Sequence, residues 1–380
     1  MLRYLRLLIH INKNRPYIYI AAICAMIGYL MPYCIGSYVF GPSLLDSELI
    51  ANLSIQQQNI ASGVYRQAPE YIAQSAVESV ELLERYMSTT RPSVRYEYAA
   101  QYYEARSDDG QQGLTSDDRE LADGRALYCR GLARLDSVPQ FSSAREMPSL
   151  LYLSFTFGSM PTALLYAPTI LLALGSIEPM ARGKLLLRAP GSDGERFAAT
   201  TLVFMVQMAI VVFISVAVPF CVLATLRGIG DPNYPIVFVQ AGNLMQTQVG
   251  RCAMQQVLLF CAGSLFLYVA MYTIALFTGS QIVALAISAL MVVIPMSSGY
   301  LTGTGLLALL YQYLPMTYLL IGRVCGYAGV LPNIDQAVST QIDPKGGIVC
   351  LLLWILACAS VAIAGTVVRR KKLMKFSGAM

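Results

Sequence analysis

Long apolar stretches alternate with short charged stretches along most of the chain. Residues 17–40 contain no Asp, Glu, Lys, Arg or His, and they exceed the roughly 20 residues that a helix needs to cross a bilayer. Five later stretches share this character. The pattern predicts an all-α membrane protein with six transmembrane helices. The predicted spans are residues 17–40, 150–174, 198–225, 254–277, 281–301 and 347–367.

The placement of Lys and Arg predicts which ends of these spans face the cytoplasm. A basic segment, residues 1–16, precedes the first span, and a basic tail, residues 369–380, follows the last. Because Lys and Arg favour the cytoplasmic side, we expect both termini inside, at the plasma membrane, and therefore an even number of crossings. A tight turn at Thr278-Gly279-Ser280 then joins spans four and five. The apolar segment Leu306–Leu320, which Pro315 interrupts, is predicted to be re-entrant between spans five and six.

One polar block interrupts the apolar pattern at residues 41–148. It holds ten arginines, no lysine and sixteen of the 22 acidic residues. Apolar residues recur at three- and four-residue steps from Ile72 to Met87 after Pro69, and a capping-box pattern opens at Thr115, which is typical of amphipathic helices. We therefore predict an extracellular helical domain, residues 41–148, between the first two spans. Residues 149–380 form the rest of the membrane domain.

The composition limits the chemistry of this chain. Hydrophobic residues make up 56% and charged residues 13% of the sequence, with a mean hydropathy of +0.54. The predicted spans lack the ionisable side chains that proton relays, metal sites and intramembrane catalysis need, and Gly183-Lys184 does not belong to a phosphate-binding loop. We predict no enzyme activity, no catalytic residue, no metal, no cofactor bound by this chain and no nucleic-acid partner. Work against a gradient would need energy from another subunit.

The charged segment 176–195, between spans two and three, stands out from its apolar surroundings. It predicts a short basic helix that stops at Pro190 and a Gly-Ser-Asp-Gly turn. One interpretation is a cytoplasmic contact through which a partner moves the membrane domain. The other is a loop whose basic residues only fix orientation, and the two are compatible. The candidate contact residues are Glu178, Arg182, Lys184, Leu187 and Arg188.

Three local motifs and the overall layout resemble a known family. The motifs are the basic helix ending in Arg188-Ala189-Pro190, the run from Ile229 to Pro235, and Leu314-Pro315-Met316-Thr317-Tyr318-Leu319. The chain resembles the ABC-2 type permeases of ATP-binding-cassette exporters, in the subgroup with a large extracellular insert between spans one and two. The charged segment lacks the Glu-plus-Gly-Thr signature of the commoner family form.

The resemblance implies partners and roles. Residues of about 177–190 would form a coupling helix on a cytoplasmic ATPase dimer, which binds the ATP and Mg²⁺. Two permease chains, identical or homologous, would pair in the lipid bilayer, with spans one, two and five beside the route. Gly299 and Gly303 form a G-x-x-x-G step that allows close helix contact, although they could also simply end the helix. The candidate residues for this dimer contact or route are Tyr29, Tyr33, Gly299 and Gly303.

The cargo implied by some relatives is a peptide toxin or bacteriocin, exported outward or removed to give immunity. Lipid or drug export stays open. A different class of function, a receptor or immunity protein that binds a ligand through its extracellular helices and transports nothing, is the alternative. A membrane enzyme is the third and weakest interpretation.

Overall fold

The protein is mostly α-helical. Its computed structural model describes residues 16–36, 42–109, 116–138, 141, 143–181, 192–240, 243–297, 300, 310–328 and 342–377. The helices are α1 (Tyr17–Ile35), α2 (Pro42–Ala61), α3 (Glu70–Ser88), α4 (Pro92–Asp109), α5 (Ser116–Leu135), α6 (Ser149–Ser159), α7 (Thr162–Ala181), α8 (Asp193–Val212), α9 (Val218–Arg227), α10 (Val249–Thr278), α11 (Gln281–Val293), α12 (Ile321–Cys325) and α13 (Pro344–Ser377). The strands are β1 (Pro235–Gln240) and β2 (Asn243–Gln248).

Four helices are long and apolar enough to cross a membrane. They are Tyr17–Ile35, Gly194–Arg227, Val249–Thr278 and Pro344–Thr366. This confirms the prediction of a helical protein with membrane-spanning helices. The central window of α10 is 67% buried by the rest of the protein, whereas the corresponding windows of the other three are 17–22% buried. Helix α10 is therefore the centre of the bundle.

The span predicted at residues 150–174 is not one straight helix. Helices α6 and α7 meet at an angle of 88°. Met160 between them is extended, with ψ 133°, as expected for a residue that precedes a proline. Pro161 also lacks the N–H that a continuous helix would use. A pair bent in this way is either one broken span or a re-entrant loop, and the number of candidate crossings is five if it is one span.

The span predicted at residues 281–301 is shorter than expected. Its apolar helix runs from Gln281 to Met296, and Pro295 stands in the final 3-10 turn. The sequence predicted six complete crossings, and this helix is too short to be counted among the long ones. In the segment predicted to be re-entrant, Leu306–Leu320, the described part contains a 3-10 turn, Pro315–Leu319, and α12 follows directly after the segment.

The polar block folds into a helical domain made of α2 to α5. Its core contains fully buried tyrosines, including Tyr86 and Tyr96. Both hydroxyls donate to the Asp46 carboxylate of α2, the Tyr96 hydroxyl at 3.1 Å, and the Arg95 guanidinium lies 3.5 Å from the same group. These contacts fasten α2 to α3 and α4. The helices predicted after Pro69 and Thr115 are confirmed as α3 and α5.

A β-hairpin joins the helical domain to the membrane helices. Strands β1 and β2 pair antiparallel, from Pro235 opposite Gln248 to Gln240 opposite Asn243, where a loop had been predicted and the fold class had been all-α. The Tyr234 hydroxyl hydrogen-bonds the Tyr128 hydroxyl of α5. The Phe238 ring of β1 lies against Gly326, just after α12. The hairpin therefore lies between the two parts of the chain.

Five chain segments lie together at one end of the bundle. The Tyr17 ring packs against Gly175 near the end of α7, and the Phe277 ring packs against Gly365 near the end of the apolar part of α13. We call this the basic end, because the basic stretches of the sequence adjoin it. The opposite end, where the hairpin and the helical domain lie, is the domain end. The basic end comprises the start of α1, the end of α7, the start of α8, the turn between α10 and α11, and the last part of α13.

Candidate functional site

The predicted coupling segment joins two membrane helices at the basic end. Glu178 lies in the last turn of α7, while Arg182, Lys184, Leu187 and Arg188 lie outside the described residues. The structure describes the two helices on either side of this segment, α7 and α8.

The helix that follows the coupling segment has a defined start. The Ser192 hydroxyl accepts a hydrogen bond from the Glu195 backbone N–H at 3.3 Å, and the Glu195 carboxylate accepts one from the Ser192 backbone N–H at 3.0 Å. This reciprocal pair is a capping box, which satisfies two of the amide donors that a helix start leaves open. The segment therefore ends against a fixed helix terminus.

Helices α7 and α8 contact each other through small polar groups near the basic end. The Ser176 hydroxyl lies 3.4 Å from the Gln207 side-chain oxygen, and it also donates to the Leu172 carbonyl at 2.9 Å. The contact with Leu172 lies within α7, and the contact with Gln207 joins α7 to α8. Because buried polar groups need partners in an apolar bundle, the Ser176–Gln207 contact links the two helices. A displacement of the connecting segment would therefore move both helices.

A second polar cluster lies toward the domain end, where α6 meets α10. The Gln256 side-chain nitrogen donates to the Ser154 carbonyl at 3.2 Å and to the Gly326 carbonyl at 2.8 Å. The Ser154 hydroxyl accepts from the Ala328 N–H at 3.3 Å. These bonds satisfy non-helical backbone after α12, which is tolerated at membrane depth only where protein covers it.

The same region contains a close backbone approach between two helices. Gly158 of α6 and Gly322 of α12 are in contact, and a Cβ atom at Gly322 would overlap the Gly158 carbonyl. Beside this contact lies a cavity of about 240 Å³ at the α6–α7 break, bordered by Pro161, Leu320 and Arg323. The break thus leaves a space between α6, α7 and the segment around α12.

Tyr29 and Tyr33 of α1 both pack on Tyr152 of α6. Their ring centroids lie 5.3 and 6.4 Å from that of Tyr152, in edge-to-face geometry. The Tyr152 hydroxyl donates to the Tyr29 carbonyl at 2.5 Å. Tyr29 is buried, and the cavity beside it measures only about 30 Å³, which is room for about one water molecule. The packing of the two tyrosines on Tyr152 therefore leaves little space between α1 and α6.

The other two candidates for the route, Gly299 and Gly303, lie outside the described residues. The structure thus brings Tyr29 and Tyr33 together without testing their association with the glycines.

Several residues at these contacts were missed by sequence reasoning. Gly158 and Pro161 carried a usable signal, because the run Gly158-Ser159-Met160-Pro161 inside an apolar stretch is typical of a helix break. Gly322 gave no such signal, because its contact with Gly158, 164 positions away in the sequence, depends on the fold.

The arrangement contains structural hydrogen bonds and a helix break. Among the described residues, no group of three or more His, Cys, Asp and Glu side chains could hold a metal ion. Comparison with protein-family models, with curated proteins and with solved structures finds no match to this chain.

Proposed function

We propose that this chain is the membrane subunit of an ABC-type exporter, in which a separate cytoplasmic ATPase dimer drives outward movement of a peptide-like cargo. The chain works in the plasma membrane as one of two paired permease subunits. The basic end faces the cytoplasm and the helical domain faces outward.

The observation that supports this proposal most is the joining of α7 and α8 at the basic end. A partner that pushes the basic segment 182–191 acts on two apolar helices at once, since Ser176 and Gln207 connect them. Helix α7 runs from the basic end to the break at Pro161. A movement of the basic end can therefore be taken up by a change in the angle between α6 and α7. This is the mechanical arrangement that a coupling segment needs.

A further argument comes from where charge lies in the membrane helices. In Gly194–Arg227 the charged residues are Glu195, Arg196 and Arg227, all at the helix ends, and α1 has none. Ion-driven transporters use ionisable groups within their spans. A transporter built from spans of this kind takes its energy from a partner, and segment 182–191 is the place where a partner can apply it.

The test is co-purification of an ATPase with the tagged chain from detergent-solubilised membranes of the native host. Arg182, Lys184 and Arg188 are changed together to Glu. We expect the wild-type chain to retain the ATPase. The triple variant should retain about tenfold less ATPase, because charge reversal replaces attraction by repulsion at the contact.

The matched control changes Arg369, Arg370 and Lys371 to Glu, which reverses three charges near the same end of the bundle. This variant should retain the ATPase. Accessibility of an N-terminal tag is measured for each variant, since loss of cytoplasmic Lys and Arg can invert a membrane protein. Absence of an ATPase from correctly oriented, folded wild-type chain would overturn the proposal and favour a receptor.

A further inference from the structure

The helical domain contains a cavity of about 310 Å³ between α2, α3 and α4. This volume is at the lower end of the range for small-molecule sites. Ile55 and Ile72 supply apolar surface on two of its sides. The cavity lies away from the membrane bundle, and no step of the proposed export mechanism uses it.

Among the described residues that line this cavity, the one charged side chain is cationic. Arg106 of α4 borders it and hydrogen-bonds the Tyr102 hydroxyl. Burial raises the pKa of Tyr102, and Arg106 partly offsets this rise, so the hydroxyl stays neutral at physiological pH. Arg106 is exposed, and no ion pair between the side chains that the structure describes includes it. Arg106 therefore brings a positive charge to the edge of the cavity.

Two side-chain amides beside Arg106 offer donors of the kind a peptide bond needs. The Asn52 side-chain nitrogen is buried and has no hydrogen-bond partner among the described residues. Gln56 accepts from the Tyr65 hydroxyl at 2.7 Å, which orients its amide and leaves its nitrogen as a donor. A buried donor without a partner destabilises the protein, and a bound carbonyl oxygen would relieve that cost.

We propose that this cavity binds the carboxyl-terminal end of a peptide. Arg106 pairs with the terminal carboxylate, Asn52 and Gln56 bond the adjoining carbonyl, and Ile55 and Ile72 contact the last side chain. That the ligand is a peptide rests on the export function proposed above, whereas the binding itself requires no ATPase. The site would give the outer domain a means of recognising the end of the cargo.

The experiment uses the full-length chain in detergent and a pool of random tripeptides with free carboxyl termini. Retained peptides are quantified by mass spectrometry after rapid removal of unbound material. We expect the wild type to retain a subset of the pool, and the same pool with amidated termini to be retained at least about tenfold less, because amidation removes the charge that Arg106 pairs with. Retention should also fall as salt is raised.

Two arginine variants separate the cavity from general charge effects. Arg106→Gln should lose retention to the level of the amidated pool. The control is Arg85→Gln, an exposed arginine of the same domain that pairs with Glu81 and does not line the cavity; it should retain peptides as the wild type does. The thermal midpoint of each variant shows that it is folded.

Equal retention of free and amidated pools, equal retention by Arg106→Gln and wild type, or no retention by folded wild type would each overturn this site. An amidated pool with an internal Glu that binds as well as free termini would overturn the assignment to a peptide end. Co-purification of the ATPase is measured separately, so failure of the export proposal is distinguished from failure of the cavity.

Discussion

Asp136 shows at the scale of one residue how the helical domain is held together by contacts distant in sequence. Its carboxylate accepts a hydrogen bond from the Ser93 backbone N–H at 2.8 Å, in the first turn of α4. The Arg91 Nε atom lies 3.9 Å from the same carboxylate. An anion at a helix start satisfies an open amide donor and interacts favourably with the helix dipole. Asp136 thereby ties the end of α5 to the start of α4.

This contact predicts a pH dependence. The Ser93 backbone N–H, followed by the nearby Arg91 charge, lowers the pKa of Asp136 in the folded protein. A lowered pKa means that the stabilisation is present above the unfolded pKa and is lost as pH falls through the folded pKa. We therefore expect the wild type to lose more thermal stability than Asp136→Asn when the pH is taken from neutral into the acid range where Asp is protonated.

The measurement is the thermal midpoint by circular dichroism at a series of pH values. Asp123→Asn, at an exposed position of α5, is the control and should follow the wild-type profile. Parallel profiles for wild type and Asp136→Asn would contradict this role of Asp136.

At the scale of elements, the α6–α12 contact depends on the absence of side chains. A Cβ atom at Gly322 would overlap the Gly158 carbonyl, and a Cβ at Gly158 would overlap the Tyr327 side chain. Backbone cannot yield as a flexible side chain can, so Gly322→Ala should separate the two helices. We expect a loss of about 1–3 kcal/mol, as for overpacked sites, seen as a lower thermal midpoint in detergent.

Gly194→Ala provides the matched control for this change. A Cβ at Gly194 meets nothing within 4 Å, and alanine favours the helix that begins there. Its thermal midpoint should equal or exceed that of the wild type. If Gly322→Ala were as stable as Gly194→Ala, the close α6–α12 packing described here would be wrong.

The elements differ in how readily the sequence predicts them. Helix α3 is signalled by apolar residues at three- and four-residue steps, and the long spans by uninterrupted apolar runs. The hairpin is harder, because Pro235–Gln240 lies in a Gly- and Pro-rich connection that resembles a loop, and its pairing with β2 depends on packing against α5. Helices α2 and α4 were missed because their apolar residues do not recur on one clear helical face, and burial by neighbouring helices rather than periodicity stabilises them.

The parts of the candidate site also differ in how readily the sequence predicts them. The sequence locates the basic segment, because a cluster of charge in apolar surroundings is a one-dimensional signal. The Ser154–Gln256 cluster and the Tyr29–Tyr152 contact could not be predicted, since their partners are about a hundred positions apart and meet only after folding.

At the scale of the whole molecule, the proposed topology places the basic end and the domain end on opposite sides of the membrane. Ser280 caps α11 in the turn at the basic end, and Asn59 lies near the end of α2 in the helical domain. We expect a membrane-impermeant maleimide to label Asn59→Cys on intact cells and Ser280→Cys only on inverted vesicles, because a charged reagent does not cross the bilayer.

Wild-type labelling is measured in parallel and subtracted, since the chain has nine cysteines. Both variants must be folded, as judged by their thermal midpoints. Labelling of both positions from the same side would contradict the opposite placement of the two ends.

The helical domain is linked to the membrane bundle by hydrogen bonds to the backbone of α1. The Arg145 guanidinium donates to the Tyr33 carbonyl at 3.0 Å and to the Cys34 carbonyl at 2.7 Å, which are acceptors that a helix leaves open at its end. Every residue type carries such a carbonyl. In evolutionary terms, the side chains at positions 33 and 34 can therefore drift without breaking this link, while position 145 must keep a side chain that donates two parallel hydrogen bonds. Arg145 is thus one route by which tension on the outer domain reaches span one, whatever residues come to occupy the end of that span.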